Sequence, residues 1–355
     1  MEKENPFTTM FGIQPETMVP RISPTQKVIS EFLKKKPSTL IYLVTGIRGS
    51  GKTVFLTSIS KYFLNQKDWA VIELDPRSKD ILRDFAAALY NEKGFMSIFN
   101  KAKINLSYLG IGVEIENSNP ITDVKIAIKR MMEYLAKKNK KILVSIDETD
   151  NTDAMREFVS EYQVLIRRDL PVFLLMTGLP ENISLLQNNE ALTFLLRAPK
   201  IELEPLDFFR MVDVYEKKLG LSKEKSSEIA SLTKGFAYAF QLFGYYTFEM
   251  NGDYVSAISD CKLFLFENVY NKIWAKLSKI DKNILYAIVE NDSPLSTKSI
   301  RELVDMKSNM FSTYRLRLIR RGILAKSEYG YMKFSLPFFD DFIANKRIEE
   351  EIDTI

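Results

Sequence analysis

The octet GIRGSGKT, residues 46–53, constrains this chain more than any other stretch. It satisfies the pattern GxxxxGK[ST], whose glycines let the backbone wrap an anion closely and turn its N–H groups inward, with positive φ available where a side chain would obstruct. Gly46, Gly49 and Gly51 give that freedom, Lys52 reaches the β- and γ-phosphate oxygens, and Thr53 offers a hydroxyl to Mg²⁺. Arg48, Ser50 and Val54 complete the candidate contacts of the loop. The setting fits the pattern. The apolar, β-rich run LIYLVT at 40–45 reads as a buried parallel strand, and Val54, Phe55, Ile59, Tyr62 and Phe63 then recur at helical spacing. A strand running through a glycine loop into a helix aims the positive end of the helix dipole at the phosphates of a nucleoside triphosphate.

Composition removes competing chemistries. The chain has no histidine and one cysteine, Cys261, so His-based general bases, His metal sites and an internal disulfide are excluded. With 355 residues, 46% of them apolar, it has material for two or three packed domains. The opening MEKENPFTTM lacks a basic region followed by an apolar one, and no run approaches about 18 uninterrupted apolar residues, so the expectation is a cytoplasmic protein with no membrane partner. The net charge of +4 is too small to name a nucleic-acid partner by itself.

Strand-like runs at 40–45, 69–75, 141–147, 171–177 and 200–203 alternate with helical patterns, which predicts an α/β fold: a parallel sheet with helices on both faces. Residues 1–36 form a lead-in segment with a short helix over 24–35 stopped by Pro37, and 37–204 form the nucleotide-binding domain. Within that domain, 103–116 alternates about Gly110 and reads as an inserted hairpin, covering a sheet edge or meeting a partner. Residues 205–275 continue at helical spacing as an α-helical lid. Over 276–345, helices at 281–290, 297–304 and 308–321 followed by strand-like runs at 323–327 and 331–336 spell a winged helix, and 346–355 reads as a frayed acidic tail.

KILVSIDE at 141–148 ends a predicted strand on two acids, where an α/β sheet presents ligand-binding groups. Asp147 is the candidate to hold Mg²⁺ opposite Thr53, and Glu148 to accept a proton from an attacking water or orient it. The plainer reading makes both acids the start of a loop, and Asp150 and Asp153 read as helix caps. Thr177 ends the next strand, within reach of the γ-phosphate or simply closing the strand; Arg197 is either a finger into a neighbouring subunit or a surface ion pair.

These motifs, together with Thr177 and the lid run GFAYAFQLFGYY at 235–246, resemble the AAA+ ATPases, and within them the origin-recognition/Cdc6-like and STAND-like members. The resemblance covers nearly the whole chain. It implies ATP and Mg²⁺ as ligands, ATP hydrolysis, and a homo-oligomer in the ATP state with Arg197 acting across an interface. The stretch NPFTTMFGIQPETMVPR at 5–21 is similar to the group's lead-in, which implies that Pro20 and Arg21 lie near the adenine. Two departures matter: Thr177 stands where AAA+ proteins usually carry Asn, and the lid has Ala237 and Tyr238 but no arginine. Both imply slow turnover.

Between 276 and 322 ten Lys/Arg face five Asp/Glu, so this stretch holds +5. On its third helix Phe311, Tyr314 and Leu318 share the inward face, leaving Asn309, Thr313, Arg317 and Arg320 as an outward polar surface suited to a major groove. Lys326 and Lys333 on the wing are candidate phosphate contacts. Double-stranded DNA is therefore the expected partner. A protein partner is the alternative, since Leu316 also turns outward.

Overall fold

The computed structural model describes residues 4–10, 15–112, 114–290, 296–325 and 330–352. It divides into two compact units, one formed by residues 21–45 and 52–203, the other by 1–20, 46–51 and 204–355.

The first unit is built on five parallel strands, β1 (Ile41–Thr45), β2 (Trp69–Leu74), β3 (Lys141–Ile146), β4 (Val172–Gly178) and β5 (Lys200–Glu202), in the order β2-β3-β4-β1-β5. Its helices are α1 (Ile22–Leu33), α2 (Lys52–Leu64), α3 (Ile81–Asn91), α4 (Phe95–Lys101), α5 (Val124–Lys137), α6 (Asp153–Ile166) and α7 (Pro180–Gln187). Strand side chains alternate between two cores. Leu43, Val144 and Leu174 face the core shared with α3, α5 and α6, whereas Val44, Leu143 and Leu175 face the one shared with α1 and α2. Both faces of the sheet are therefore covered, as its near-continuous apolar strands require. All five strands expected for the sheet are present. The order puts β4 between β1 and β3, so Thr177 pairs with Val44 on one side while its neighbour Met176 pairs with Ile146 on the other.

The stretch 103–116 corrects an expectation. Its described residues form no strand; they hold a single 3₁₀ turn, Ser107–Leu109, with left-handed Gly110 and Gly112. Ile104, Leu106 and Ile111 are buried in the core, while Glu114 and Tyr108 are exposed. The alternation therefore records one buried loop edge, not a pleated pair. The helix after β3 is capped by Thr152, whose hydroxyl accepts the Met155 N–H, and Asp153 is its first helical residue.

The second unit is helical: α8 (Phe208–Leu219), α9 (Lys223–Leu232), α10 (Ala237–Glu249), α11 (Tyr254–Leu265), α12 (Asn271–Trp274), α13 (Lys279–Val289), α14 (Thr297–Leu303), α15 (Ser308–Arg320) and α16 (Phe339–Ile352). One apolar cluster runs through it, from Tyr215 and Phe240 to Phe311, Leu318 and Phe342. Phe7 of the N-terminal segment enters this cluster against α10, where Gly244 leaves room: a Cβ there would lie 2.2 Å from the Phe7 ring. Among the described residues the predicted wing shows the antiparallel bridges Leu324–Phe334 and Ser296–Tyr331, and residues 326–329 lie outside the described residues. The tail differs from expectation as well. Residues 346–352 continue α16, whose Phe339, Phe342 and Ile343 are buried and whose Arg347 pairs with Glu290 and Glu351.

Candidate functional site

In the sheet unit, Asp147 follows β3 directly and its carboxylate is the centre of a small network. Oδ2 accepts the Thr53 hydroxyl at 2.5 Å, and Oδ1 accepts both the Thr177 hydroxyl and the Glu148 N–H, the latter at 3.0 Å. Thr177 is completely buried; its hydroxyl also receives the Glu148 N–H at 3.3 Å, and its carbonyl receives the Thr149 N–H at 2.7 Å. The turn after Asp147 is tied to the end of β4 at three points. Glu148 itself is exposed and held at φ +52°, a conformation that costs a non-glycine residue on the order of 1–3 kcal/mol and that the surrounding hydrogen bonds enforce.

Thr53 and Asp147 bring a hydroxyl and a carboxylate oxygen together, the hard-oxygen donor set that suits Mg²⁺. Among the described residues no group of three or more acidic or cysteine side chains gathers as a metal cage. A site with one carboxylate and one hydroxyl fits an ion that keeps waters and phosphate oxygens as its remaining ligands. Lys52 is buried at the start of α2, and Val54 is half-buried two residues along the same helix. Arg197 is exposed at the end of the 3₁₀ segment Glu190–Arg197, next to exposed Leu196. Arg21 is half-buried at the N-cap of α1.

In the helical unit, residues 46–51 form the loop. Gly49 and Gly51 take φ of +81° and +88°, whereas Gly46 keeps an ordinary φ. The Ser50 N–H donates to the Ile47 carbonyl at 3.2 Å, closing a tight turn; Arg48 is exposed and Ser50 buried. The start of α10 packs directly on this loop. Its N-cap, Phe236, makes no side-chain capping bond, and the Tyr238 N–H, in the first turn, donates to the Gly49 carbonyl at 3.1 Å. A Cβ on Gly49 would meet the Phe236 ring at 2.6 Å. The Tyr238 hydroxyl donates to the Thr9 carbonyl at 2.7 Å, and burial pushes its phenol well above the ordinary range. Sequence reading found the lid run but missed this seat on the loop, because a contact across about 190 positions leaves no periodic signal. Pro20, in this unit, is exposed.

The candidate nucleic-acid residues fall into three groups. Asn309, Thr313, Arg320 and Lys333 are exposed, and Lys326 lies outside the described residues. Arg317 departs from the expected outward direction. Its Nε and Nη2 donate to Asp281 Oδ1 at 3.1 and 2.5 Å, and Nη2 donates to Ser278 Oγ at 3.0 Å. Asp281 is fully buried in the capping box of α13, and the Arg321 guanidinium stands 3.7 Å from its other oxygen. A buried carboxylate must be paired, and that requirement draws Arg317 inward.

With this geometry in view, comparison with solved structures identifies the class of fold: the chain shares the α/β fold of the ORC2 protein of Aeropyrum pernix. The ORC2 protein of Aeropyrum pernix, solved as ADPNP-ADP complexes, aligns at 13% identity over 96% of this chain and 98% of that one, with a TM-score of 0.60. Its ADP form aligns at 13% identity over 95% and 97%, with a TM-score of 0.51. The Cdc6p protein of Pyrobaculum aerophilum aligns at 14% identity over 96% and 97%, with a TM-score of 0.49. The profile of a family described as Domain of unknown function (DUF8462) matches residues 267–343. No curated protein sequence matches significantly.

Proposed function

We propose that the protein is an ATP-dependent molecular switch that binds Mg²⁺·ATP, hydrolyses it slowly and engages duplex DNA through a C-terminal winged helix. The observation that carries the nucleotide reading is the Asp147 carboxylate held between the Thr53 and Thr177 hydroxyls, on a sheet whose first strand runs into GIRGSGKT. The ADPNP-ADP complexes of the similarly folded ORC2 protein support it.

In this reading the loop N–H groups and Lys52 bind the phosphates, while Thr53 and Asp147 hold the metal, which when bound neutralises charge on the phosphate oxygens. Glu148 takes the proton of the attacking water. Arg197, exposed, acts on the nucleotide of a neighbouring copy. Slow turnover follows from the lid, where Tyr238 is tied to Gly49 and Thr9 and the run 235–246 carries no arginine. Lys52→Ala is expected to abolish binding of a fluorescent ATP analogue. Glu148→Gln is expected to keep binding and cut hydrolysis by about 10²-fold or more; equal turnover in Glu148→Gln and wild type rules out the assigned base.

For DNA, support comes from the three helices α13 to α15 with the Leu324–Phe334 bridge, and from exposed Arg320 and Lys333. A second reading, a signalling ATPase whose C-terminal domain binds a protein, is favoured by Arg317 being engaged with Asp281 and by Met310 and Leu316 standing exposed on α15. Gel shifts with duplex DNA across a salt series separate them. Affinity that falls steeply with salt, and less steeply in Arg320→Ala and Lys333→Ala, supports DNA; affinity indifferent to salt transfers the assignment to a protein partner.

A further inference from the structure

The left-handed turn that ends α15 is packed against the phosphate loop within the helical unit. Gly322 has φ +64°, and a Cβ on it would lie 2.3 Å from Ile47 Cγ2, inside any tolerable contact. Ile47 is half-buried and joins the apolar cluster of the C-terminal helices, and its carbonyl closes the loop turn by accepting the Ser50 N–H. One residue thus has its backbone in the phosphate loop and its side chain on the C-terminal domain.

The receiving turn is well anchored. The Gly322 N–H donates to Ile319 O at 2.8 Å, its carbonyl accepts the Ser335 hydroxyl, and the Ile323 N–H donates to Leu318 O at 3.0 Å. Displacing Gly322 therefore moves both the end of α15 and the strand-like run that returns beside it. Closely packed contacts of this kind transmit displacement because neither side has room to absorb it. We infer that Gly322 is a positioning residue for the nucleotide: through Ile47 it sets the conformation of the phosphate loop, so that nucleotide affinity and the state of α15 are coupled. The inference rests on the nucleotide reading above. Coupling of this kind is reciprocal, and whatever binds α15 changes nucleotide affinity by the factor by which nucleotide changes its own.

Gly330 is a built-in control. It too is left-handed, at φ +71°, and stands in the same C-terminal region, but among the described residues a Cβ there would meet nothing within 4 Å. Alanine at either position carries the same backbone strain; only at 322 does it press on the loop. The test measures equilibrium binding of a fluorescent ATP analogue with Mg²⁺ to the full chain. Gly322→Ala is expected to weaken binding by at least about fivefold, the low end of ordinary allosteric coupling, with Gly330→Ala within twofold of wild type. Ile47→Leu, which keeps the volume but removes the Cγ2 methyl, relieves the pressure and is expected to restore binding in the Gly322→Ala background. Binding by Gly322→Ala equal to wild type, an equal loss in Gly330→Ala, or no rescue by Ile47→Leu overturns the inference. Absence of binding by the wild-type chain overturns the nucleotide reading itself, and this inference with it. Should Gly322→Ala not fold, hydrogen exchange at residues 318–325 decides the matter: nucleotide is expected to change it at least fivefold in the wild type and not in Ile47→Leu, and the same response in both overturns the coupling.

Discussion

Thr177 uses its buried hydroxyl on Asp147, and its carbonyl and hydroxyl together fix the turn that carries Glu148. Hydrogen bonds to a charged group contribute about 1.5–3 kcal/mol, so Thr177→Val is expected to lower the single-turnover hydrolysis rate roughly 10- to 100-fold, with Thr177→Ser restoring most of it. A rate unchanged in Thr177→Val would separate this threonine from the chemistry. Glu31 is a second residue with a defined task. Its carboxylate accepts from Lys34 Nζ at 2.5 Å and from the Ser38 N–H and hydroxyl at 2.5 and 2.7 Å, and these bonds lower its pKa to about 2. A carboxylate depressed in the folded state adds stability that is present above its unfolded pKa and is lost as pH falls through the folded one. Urea midpoints of the wild type are therefore expected to fall between about pH 4.5 and pH 2 by more than those of Glu31→Gln, which has no charge to lose there.

At the scale of the element, α13 and α15 are joined through Asp281. Arg317 and Arg321 approach its two oxygens, and Ser278 caps α13 with the same carboxylate. Leaving a buried ion without its partner costs about 3–5 kcal/mol, so Arg317→Ala, which leaves the Asp281 carboxylate (1% exposed) with Arg321 alone, is expected to lower unfolding stability by about 3 kcal/mol, and Asp281→Ala by a smaller amount, because the Arg317 side chain it leaves behind is 38% exposed and takes up water. Chemical denaturation measures both. Arg320→Ala is the cleaner probe of DNA binding, since loss of affinity in Arg317→Ala would mix contact with folding. These helices were legible in the sequence from spacing and caps to within a residue or two. The direction of Arg317 was not: helical periodicity assigns a face, and a partner 36 positions away overrides it. The stretch 103–116 failed in a related way: Ile104, Leu106 and Tyr108, then Ile111, Val113 and Ile115, alternate in sequence as two strands would, but Ile104, Leu106 and Ile111 bury the edge of a loop and Tyr108 is exposed.

For the whole molecule, the expected signature of a nucleotide switch is linkage. Mg²⁺·ATP at about 100 times its Kd is expected to raise unfolding free energy by about 2.7 kcal/mol, and to leave Lys52→Ala unmoved. Oligomeric state measured by light scattering, with and without ATP and with Arg197→Ala, tests the trans arginine: a particle of constant mass in every condition would dismiss it. The parallel sheet and its covering helices were readable in advance because β1 to β4 carry apolar runs and the helices between them 3.6-residue stripes, both local signals. The phosphate loop was readable for the same reason, since eight consecutive residues hold its chemistry. What sits on that loop was not. Tyr238 caps Gly49, Gly322 receives Ile47, and Thr177 reaches Asp147, contacts spanning from 30 positions to more than 270 that rest on shape and hydrogen-bond geometry. Local periodicity and a contiguous motif were enough to determine an α/β fold with its phosphate-loop pattern; close packing between distant segments decided which side chains hold the loop, because that depends on complementary surfaces no single stretch of chain encodes.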